Sequence, residues 1–170
     1  MDVIFDIDGT LANASHRLHF IKDMKFWVPS GITRNLKPDW DTFLSDEQVA
    51  KDTPIPQTWA LMERMINRGD RIIFITGRKE ASRDMTWRWL TDMSCEHRMH
   101  CATYLDLNYA RLYMRRDGDR RSSSEVKREL LHRARDHGFN PTLVFEDRKD
   151  DTAMWRSEGL LCCQVAEGDY

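Results

Sequence analysis

Short runs of consecutive apolar residues alternate along this chain with segments of helical periodicity. Ile72-Ile73-Phe74-Ile75 and Leu143-Val144-Phe145 are continuous rather than alternating, as in strands buried on both faces of a parallel sheet. Strands that alternate with helices predict an α/β fold, a doubly wound (Rossmann-like) parallel sheet of about five strands with helices on both faces. The strands are predicted at 3–5, 71–75, 101–105, 142–145 and 160–165.

The helical segments carry their own start and stop signals. The best defined begins at Ser122, where Ser122-x-x-Glu125 forms a capping box, and ends at His137-Gly138. An amphipathic stretch from Trp59 to Ile66 stops before Gly69. The predicted helices cover about 59–66, 81–93, 122–137 and 150–158.

Residues 11–55 interrupt this alternation directly after the first strand. They hold a helical stretch from Ser15 to Met24, a loop rich in Pro and Gly, and a short capped helix near Pro38 to Phe43. An insertion at this point lies over the carboxyl ends of the sheet, where a lid belongs. We therefore predict a single domain over 1–170, with 11–55 as a small helical cap.

Composition excludes several classes of protein. A net charge of −2 over 170 residues argues against a surface built throughout to coat nucleic acid, although not against a local basic patch. No apolar run approaches the roughly 20 residues that span a bilayer, and no leader precedes the first strand, so a cytoplasmic protein is expected. The four cysteines form no C-x-x-C pair, which argues against a disulfide framework or a zinc site.

Two aspartates end the first strand. Asp6 and Asp8 stand two apart, followed by Gly9 and Thr10, and side chains two apart on a strand point the same way. Two carboxylates placed together are costly unless a cation or phosphate chemistry needs them. The alternative is a pair of strand-end acids that open a turn at Asp-Gly.

Three further groups follow other elements. Thr76-Gly77 comes directly after a buried strand, Lys127 lies near the N-terminal end of the capped helix, and Glu146-Asp147 follows the fourth strand. Alone, each has a simple explanation: a strand-to-helix turn, an exposed lysine, a solvated acidic helix start. Together they supply what a phosphate and Mg²⁺ need, namely freed amides, a cation and oxygen ligands at one edge of a sheet.

In order and context these residues resemble the haloacid dehalogenase (HAD) superfamily of phosphohydrolases. Asp6-x-Asp8-Gly9-Thr10 resembles its first motif, Thr76 its second, Lys127 its third, and Glu146-Asp147 its fourth. The likeness spans almost the whole chain.

A closer resemblance is to the 3'-phosphatase domain of phage-type polynucleotide kinase-phosphatases. Arg17, nine residues beyond Asp8, matches an arginine of that family. No G-x-x-x-x-G-K-[ST] loop is present, so no kinase domain is expected in the chain. The stretches that carry the likeness are Ile75–Arg78, Gly118–Arg121 ahead of Val126-Lys127, Asp147–Arg156 and Gln164–Tyr170.

Two positions depart from that family. Ser123 stands where an aspartate four residues before the lysine is usual, and Glu146 opens the fourth motif in place of a first aspartate. These departures leave the substrate more open than the chemistry.

The resemblance implies a two-step mechanism. Asp6 would attack phosphorus to form an aspartyl-phosphate, and Asp8 would act first as acid and then as base. Mg²⁺ would be held by Asp6, the main-chain carbonyl of Asp8, and Asp147. The remaining predicted site residues are Thr76, Gly77 and Lys127 for the phosphate, Thr10, Arg17 and Arg78 for the substrate, and Glu146 and Asp151 as acids just outside the metal ligands.

Three functions compete at this stage. The first is removal of 3'-phosphates from nucleic-acid ends or nucleotides, the second a 5'-nucleotidase for small (deoxy)nucleoside monophosphates, and the third an inactive phosphate- or nucleic-acid-binding module. The partner expected is a phosphorylated nucleic-acid end or nucleotide, in the host cytoplasm if the protein is phage-encoded.

An arginine-rich stretch, 111–135, could track a phosphodiester backbone. Trp27, Trp40 and Phe43 could stack on a base or simply pack the cap onto the sheet.

Overall fold

A computed structural model describes residues 1–22, 25–27, 33–35, 37–96 and 110–168, and its centre is a five-stranded sheet. Every pairing within the sheet is parallel. Numbered in chain order over the whole structure, the strands run across the sheet as β7 (Ala110–Arg115), β6 (Arg71–Lys79), β1 (Asp2–Phe5), β8 (Pro141–Arg148) and β9 (Leu161–Gly168).

Helices cover both faces of the sheet. Successive side chains of β1 alternate between two apolar clusters. Val3 and Phe5 pack in one with residues of the helices at 56–67 and 83–96, and Ile4 packs in the other with residues of the helices at 123–136 and 149–157. All three side chains are fully buried. The doubly wound α/β prediction is therefore confirmed. The helices are α3 (Pro56–Asn67), α4 (Arg83–Glu96), α5 (Ser123–Asp136) and α6 (Lys149–Ser157).

The insertion after β1 is built from short elements. The helix predicted from Ser15 to Met24 is a single 3₁₀ segment, Ser15–Phe20, and residues 23 and 24 lie outside the described ranges. This segment buries only Arg17, so it has no apolar stripe to support an α-helix. The bounds 11–55 for a cap remain a prediction. The other elements here are β2 (Ala12–Asn13), β3 (Lys25–Trp27), β4 (Thr33–Asn35), α1 (Trp40–Phe43), α2 (Asp46–Val49) and β5 (Thr53–Pro54).

The remaining predicted elements agree to within a few residues, with one exception. The capping box that starts α5 is present, with the Ser122 hydroxyl and the Glu125 side chain each bonded to the other's main-chain amide. The strand predicted at 101–105 lies outside the described residues, and the edge strand beside β6 is β7. Within the described ranges, no helix is both long and apolar enough to cross a bilayer.

Candidate active site

The end of β1 places the two aspartates at the carboxyl edge of the sheet. The Asp6 amide donates to the Phe145 carbonyl of β8 at 3.0 Å, so Asp6 sits between two central strands. Gly9 then adopts φ +85°, a left-handed conformation that favours glycine, and its amide bonds to the Ala12 carbonyl at 2.8 Å. This turn changes the direction of the chain directly after Asp8.

Asp6 belongs to a buried network centred on Lys127. The Lys127 ammonium lies 2.9 Å from Asp6 Oδ1, 2.7 Å from Glu146 Oε2 and 2.9 Å from Asp151 Oδ2. Burial alone would lower the pKa of Lys127, but the three carboxylates outweigh it and raise that pKa well above its ordinary value. Lys127 is therefore a fixed positive charge that orients the Asp6 carboxylate.

Glu146 is anchored through both carboxylate oxygens. Besides Lys127, its Oε2 accepts a hydrogen bond from Trp155 Nε1 at 3.0 Å. Its Oε1 accepts the main-chain amides of Asp147 and Arg148 at 3.2 and 3.3 Å. With four donors already around it, Glu146 serves to hold Lys127 and the turn that carries Asp147.

Ser123, the position that departs from the family pattern, supports Asp151. The hydroxyls of Ser123 and Ser124 each donate to the Asp151 carboxylate at 2.7 Å. Burial raises the pKa of Asp151, but Lys127 and the two serines outweigh it and lower the pKa to about 2. A carboxylate from α6 thus reaches Lys127 beside the position where the family usually places its own acid.

The acids around Asp6 have the chemistry of a divalent-cation site. Carboxylate oxygens of Asp6, Glu146 and Asp147 lie within 4.8 Å of one another, and all three residues are buried. Burial raises the pKa of Asp6 well above its ordinary value; Lys127 opposes this, and the neighbouring carboxylates add to it. Oxygen-only ligands of this kind suit a hard cation such as Mg²⁺.

Gly168 at the end of β9 leaves room for Asp147. A Cβ atom placed on Gly168 would overlap a carboxylate oxygen of Asp147 and lie 3.0 Å from its carboxyl carbon. The glycine therefore allows the strand to pass directly over this acid, and a larger residue would displace it.

Asp8 belongs to a second network, with two arginines. Arg17 Nη2 lies 2.5 Å from Asp8 Oδ1, and Arg78 contacts the same carboxylate at 2.6 Å through Nη2 and 3.0 Å through Nε. Both arginines also bind Asp52 Oδ2, at 2.7 and 2.8 Å. Burial raises the pKa of Asp8, but the arginines outweigh it and hold that pKa well below its usual range.

Sequence reasoning predicted the two arginines but missed Asp52. Arg17 and Arg78 are fully buried and direct their guanidinium groups at Asp8 rather than at solvent. Asp52 lies 35 residues after Arg17 in a segment without a motif. Its only signal would be that a buried arginine needs an acidic partner, and burial of Arg17 is not visible in the sequence.

Beside these networks lies a cleft of about 810 Å³. Of the predicted site residues, Asp6, Asp8, Gly77 and Lys127 line it. Thr10 and Thr76 are fully buried instead of lining it. The Thr76 hydroxyl accepts the Arg78 amide at 3.2 Å, and the Thr10 carbonyl accepts the Thr58 hydroxyl at 2.5 Å.

A family model and several solved structures are similar to this chain. The family model described as the polynucleotide kinase PNKP phosphatase domain matches residues 41–170. The chain belongs to this family. The resemblance to HAD-type phosphatases, and within them to the polynucleotide kinase-phosphatase domain, is confirmed.

Solved structures share the fold of this PNKP-type domain at low identity. A chain of the Pnkp1/Rnl/Hen1 RNA repair complex matches 99% of the present chain with a TM-score of 0.69 and 24% identity, and only 43% of that longer chain is covered. A haloacid dehalogenase-like protein from Streptococcus pneumoniae matches 96% with a TM-score of 0.62 and 14% identity, covering 83% of it. The class C acid phosphatase from Bacillus anthracis, with tungstate bound, matches 99% with a TM-score of 0.57 and 16% identity, covering 67% of it.

Proposed function

We propose that this chain is a Mg²⁺-dependent phosphomonoesterase that works through an aspartyl-phosphate on Asp6 and removes 3'-phosphates from nucleic-acid ends or nucleotides. The observation that carries the proposal is the position of Asp6. It lies at the floor of the cleft, bonded to Lys127 and beside Asp147, in a chain of the PNKP phosphatase-domain family.

Asp6 is the nucleophile in this proposal. Its carboxylate forms the new bond to phosphorus while the ester P–O bond breaks, and the leaving oxygen takes a proton. Lys127 orients this carboxylate through Oδ1, and the Lys127 charge and the Gly77 amide stabilise the transferring oxygens. Water then cleaves the Asp6–phosphate bond and releases inorganic phosphate.

The cation belongs with the acids around Asp6. Asp6, Asp147 and the main-chain carbonyl of Asp8 would hold Mg²⁺, while Glu146 is already held by four donors. Mg²⁺ there would offset the repulsion between the attacking carboxylate and the phosphate dianion.

Asp8 is the acid and base. With Arg17 and Arg78 on its carboxylate it is ionised, which suits the second step, where it takes a proton from the attacking water. To protonate the leaving oxygen in the first step, Asp8 must first take up a proton from solvent, and this requires its carboxylate to give up a contact with one of these arginines.

The test is a comparison of substrates. Turnover is measured for a 3'-phosphorylated oligonucleotide and for free 3'- and 5'-nucleoside monophosphates, each with Mg²⁺ and with EDTA. We expect hydrolysis of the 3'-phosphates, its loss in EDTA, and no turnover by Asp6→Asn. Hydrolysis of 5'-monophosphates far above that of the 3'-phosphates would favour a nucleotidase instead, and no hydrolysis of any substrate would favour a binding module.

A further inference from the structure

The cleft extends well beyond the groups that would meet the terminal phosphate. Asp6, Asp8, Gly77 and Lys127 form its floor, yet its volume of about 810 Å³ is typical of pockets that enclose a whole small-molecule ligand. Two walls rise from this floor. The cap wall is residues 38–41 with Phe43 and Leu44, and the loop wall is residues 118–123 with Arg115 and Arg148.

The cap wall presents an aromatic surface on a fixed support. Trp40 is 41% exposed, and its ring meets that of Phe43 edge-on at 5.6 Å. Phe43 is itself buried, with the Arg17 guanidinium 4.2 Å above its ring. Asp41, next to Trp40, forms an ion pair with Lys79 of β6, which ties this wall to the sheet. Trp40 is therefore held at the cleft rather than packed into the core.

The loop wall presents an exposed arginine, Arg120, beside others that are already engaged. Arg115 donates to the main-chain carbonyls of Gly77 and Arg121. Arg121 is bound by Asp119 at 2.5 Å and by Glu129 at 2.6 Å, and Arg116, which is not a cleft residue, lies 3.4 Å from Glu129. Arg120 lines the cleft, is exposed, and forms no ion pair within the described part of the chain. It is the loop arginine best placed to receive an anion from outside.

The two walls match the two parts of a nucleotide, its uncharged base and its anionic phosphate. The cap wall carries Asp39 beside Trp40, and its other acid, Asp41, already pairs with Lys79, so this wall offers a ring for a base and no unpaired cation for a phosphate. The loop wall is rich in arginine and suits a phosphodiester. We infer that, with a terminal phosphate at Asp6, the base of the penultimate nucleotide stacks on Trp40 and the phosphodiester that joins the last two nucleotides contacts Arg120, so that the preferred substrate is a single-stranded end of at least two nucleotides.

This inference rests on the proposed 3'-phosphatase activity and is tested by substrate length. We compare kcat and KM for a 3'-phosphorylated dinucleotide and a 3'-mononucleotide in the wild type and in Trp40→Ala, Trp40→Phe, Arg120→Ala and Arg116→Ala. Trp40→Ala should raise KM for the dinucleotide at least about fivefold with kcat retained, since a base–aromatic stack is worth about 1–3 kcal/mol. Trp40→Phe should keep most of the affinity.

Arg120→Ala should also raise KM for the dinucleotide. It should reduce the magnitude of the slope of log(1/KM) against log[salt] by about 1, the value expected for the loss of one phosphate contact, whereas Arg116→Ala should change neither KM nor the slope. KM for the mononucleotide should not respond to any of these changes. Equal use of both lengths by the wild type, or an equal loss on both in Trp40→Ala, would overturn the inference while leaving the phosphatase intact. Absence of all 3'-phosphatase activity in the wild type would overturn the proposed function and this inference together.

Discussion

Two neighbouring ionic networks hold the two aspartates of the first strand, and they differ in charge balance. Asp8 shares its network with Asp52, Arg17 and Arg78, two acids against two cations. Asp6 shares its network with a single cation, Lys127, and with three further acids, Glu146, Asp147 and Asp151.

The difference assigns each network a different task. The balanced network satisfies its own charges, and its arginines hold Asp8 ionised. The other has more carboxylates than the single cation Lys127 can pair with. Burial raises the pKa of Asp6, Lys127 opposes this, and the neighbouring carboxylates raise that pKa further. Buried carboxylates stay charged only when paired or bound to metal. The imbalance is thus a physical reason for a divalent cation beside the carboxylates of Asp6 and Asp147 and not beside the carboxylate of Asp8.

The largest effect is expected from Asp6→Asn. The amide cannot form the acyl phosphate, so turnover should fall by at least about 10³-fold. Because the change removes one negative charge from an excess, the free energy of unfolding should stay equal or rise. Phosphatase assays and urea unfolding check both, and an active variant would remove Asp6 from the role of nucleophile.

The two networks also differ in how far the sequence predicts them. The sequence predicts the Asp6 network because its residues lie at the end of a strand or near the start of a helix. Parallel strands bring their carboxyl ends, and the helix starts that follow them, to one edge of the sheet. The Asp8 network was only half visible, because Asp52 reaches its arginines through the fold of the insertion, which has no periodic pattern. Strand β7 was missed for a related reason: Ala110–Arg115 carries arginines at both its second and last positions and does not look like a buried strand.

The next largest effect is a loss of stability in Asp52→Asn. It leaves two buried arginines with only Asp8 as an acidic partner in the network, and breaking a buried pair costs about 3–5 kcal/mol. The exposed acid Asp41, paired with Lys79, is the matched control, and Asp41→Asn should change the unfolding free energy little. Urea unfolding that is the same for Asp52→Asn and the wild type would contradict the importance of the balanced network.

A third effect is stabilisation by Mg²⁺ itself, measured without substrate. A ligand at one hundred times its Kd stabilises the folded state by about 2.7 kcal/mol, which corresponds to about 5–10 °C in Tm for a chain of this size. Asp147→Asn should lose this shift, while Asp52→Asn should retain it from its lower starting Tm. A shift of the same size in Asp147→Asn would place the cation elsewhere.

The smallest effect tests Asp151 through pH. Its folded-state pKa of about 2 lies below its value in the unfolded chain, so its ionic contacts stabilise the protein above about pH 4 and are lost as pH falls towards 2. The difference in unfolding free energy between wild type and Asp151→Asn should be about 2 kcal/mol near pH 6 and about half that at pH 3. Ser124→Ala, which removes one of the two serine hydroxyls, should shift this profile in the same direction by less. A difference that stays constant from pH 6 to pH 3 would mean that Asp151 contributes through packing rather than through its charge on Lys127.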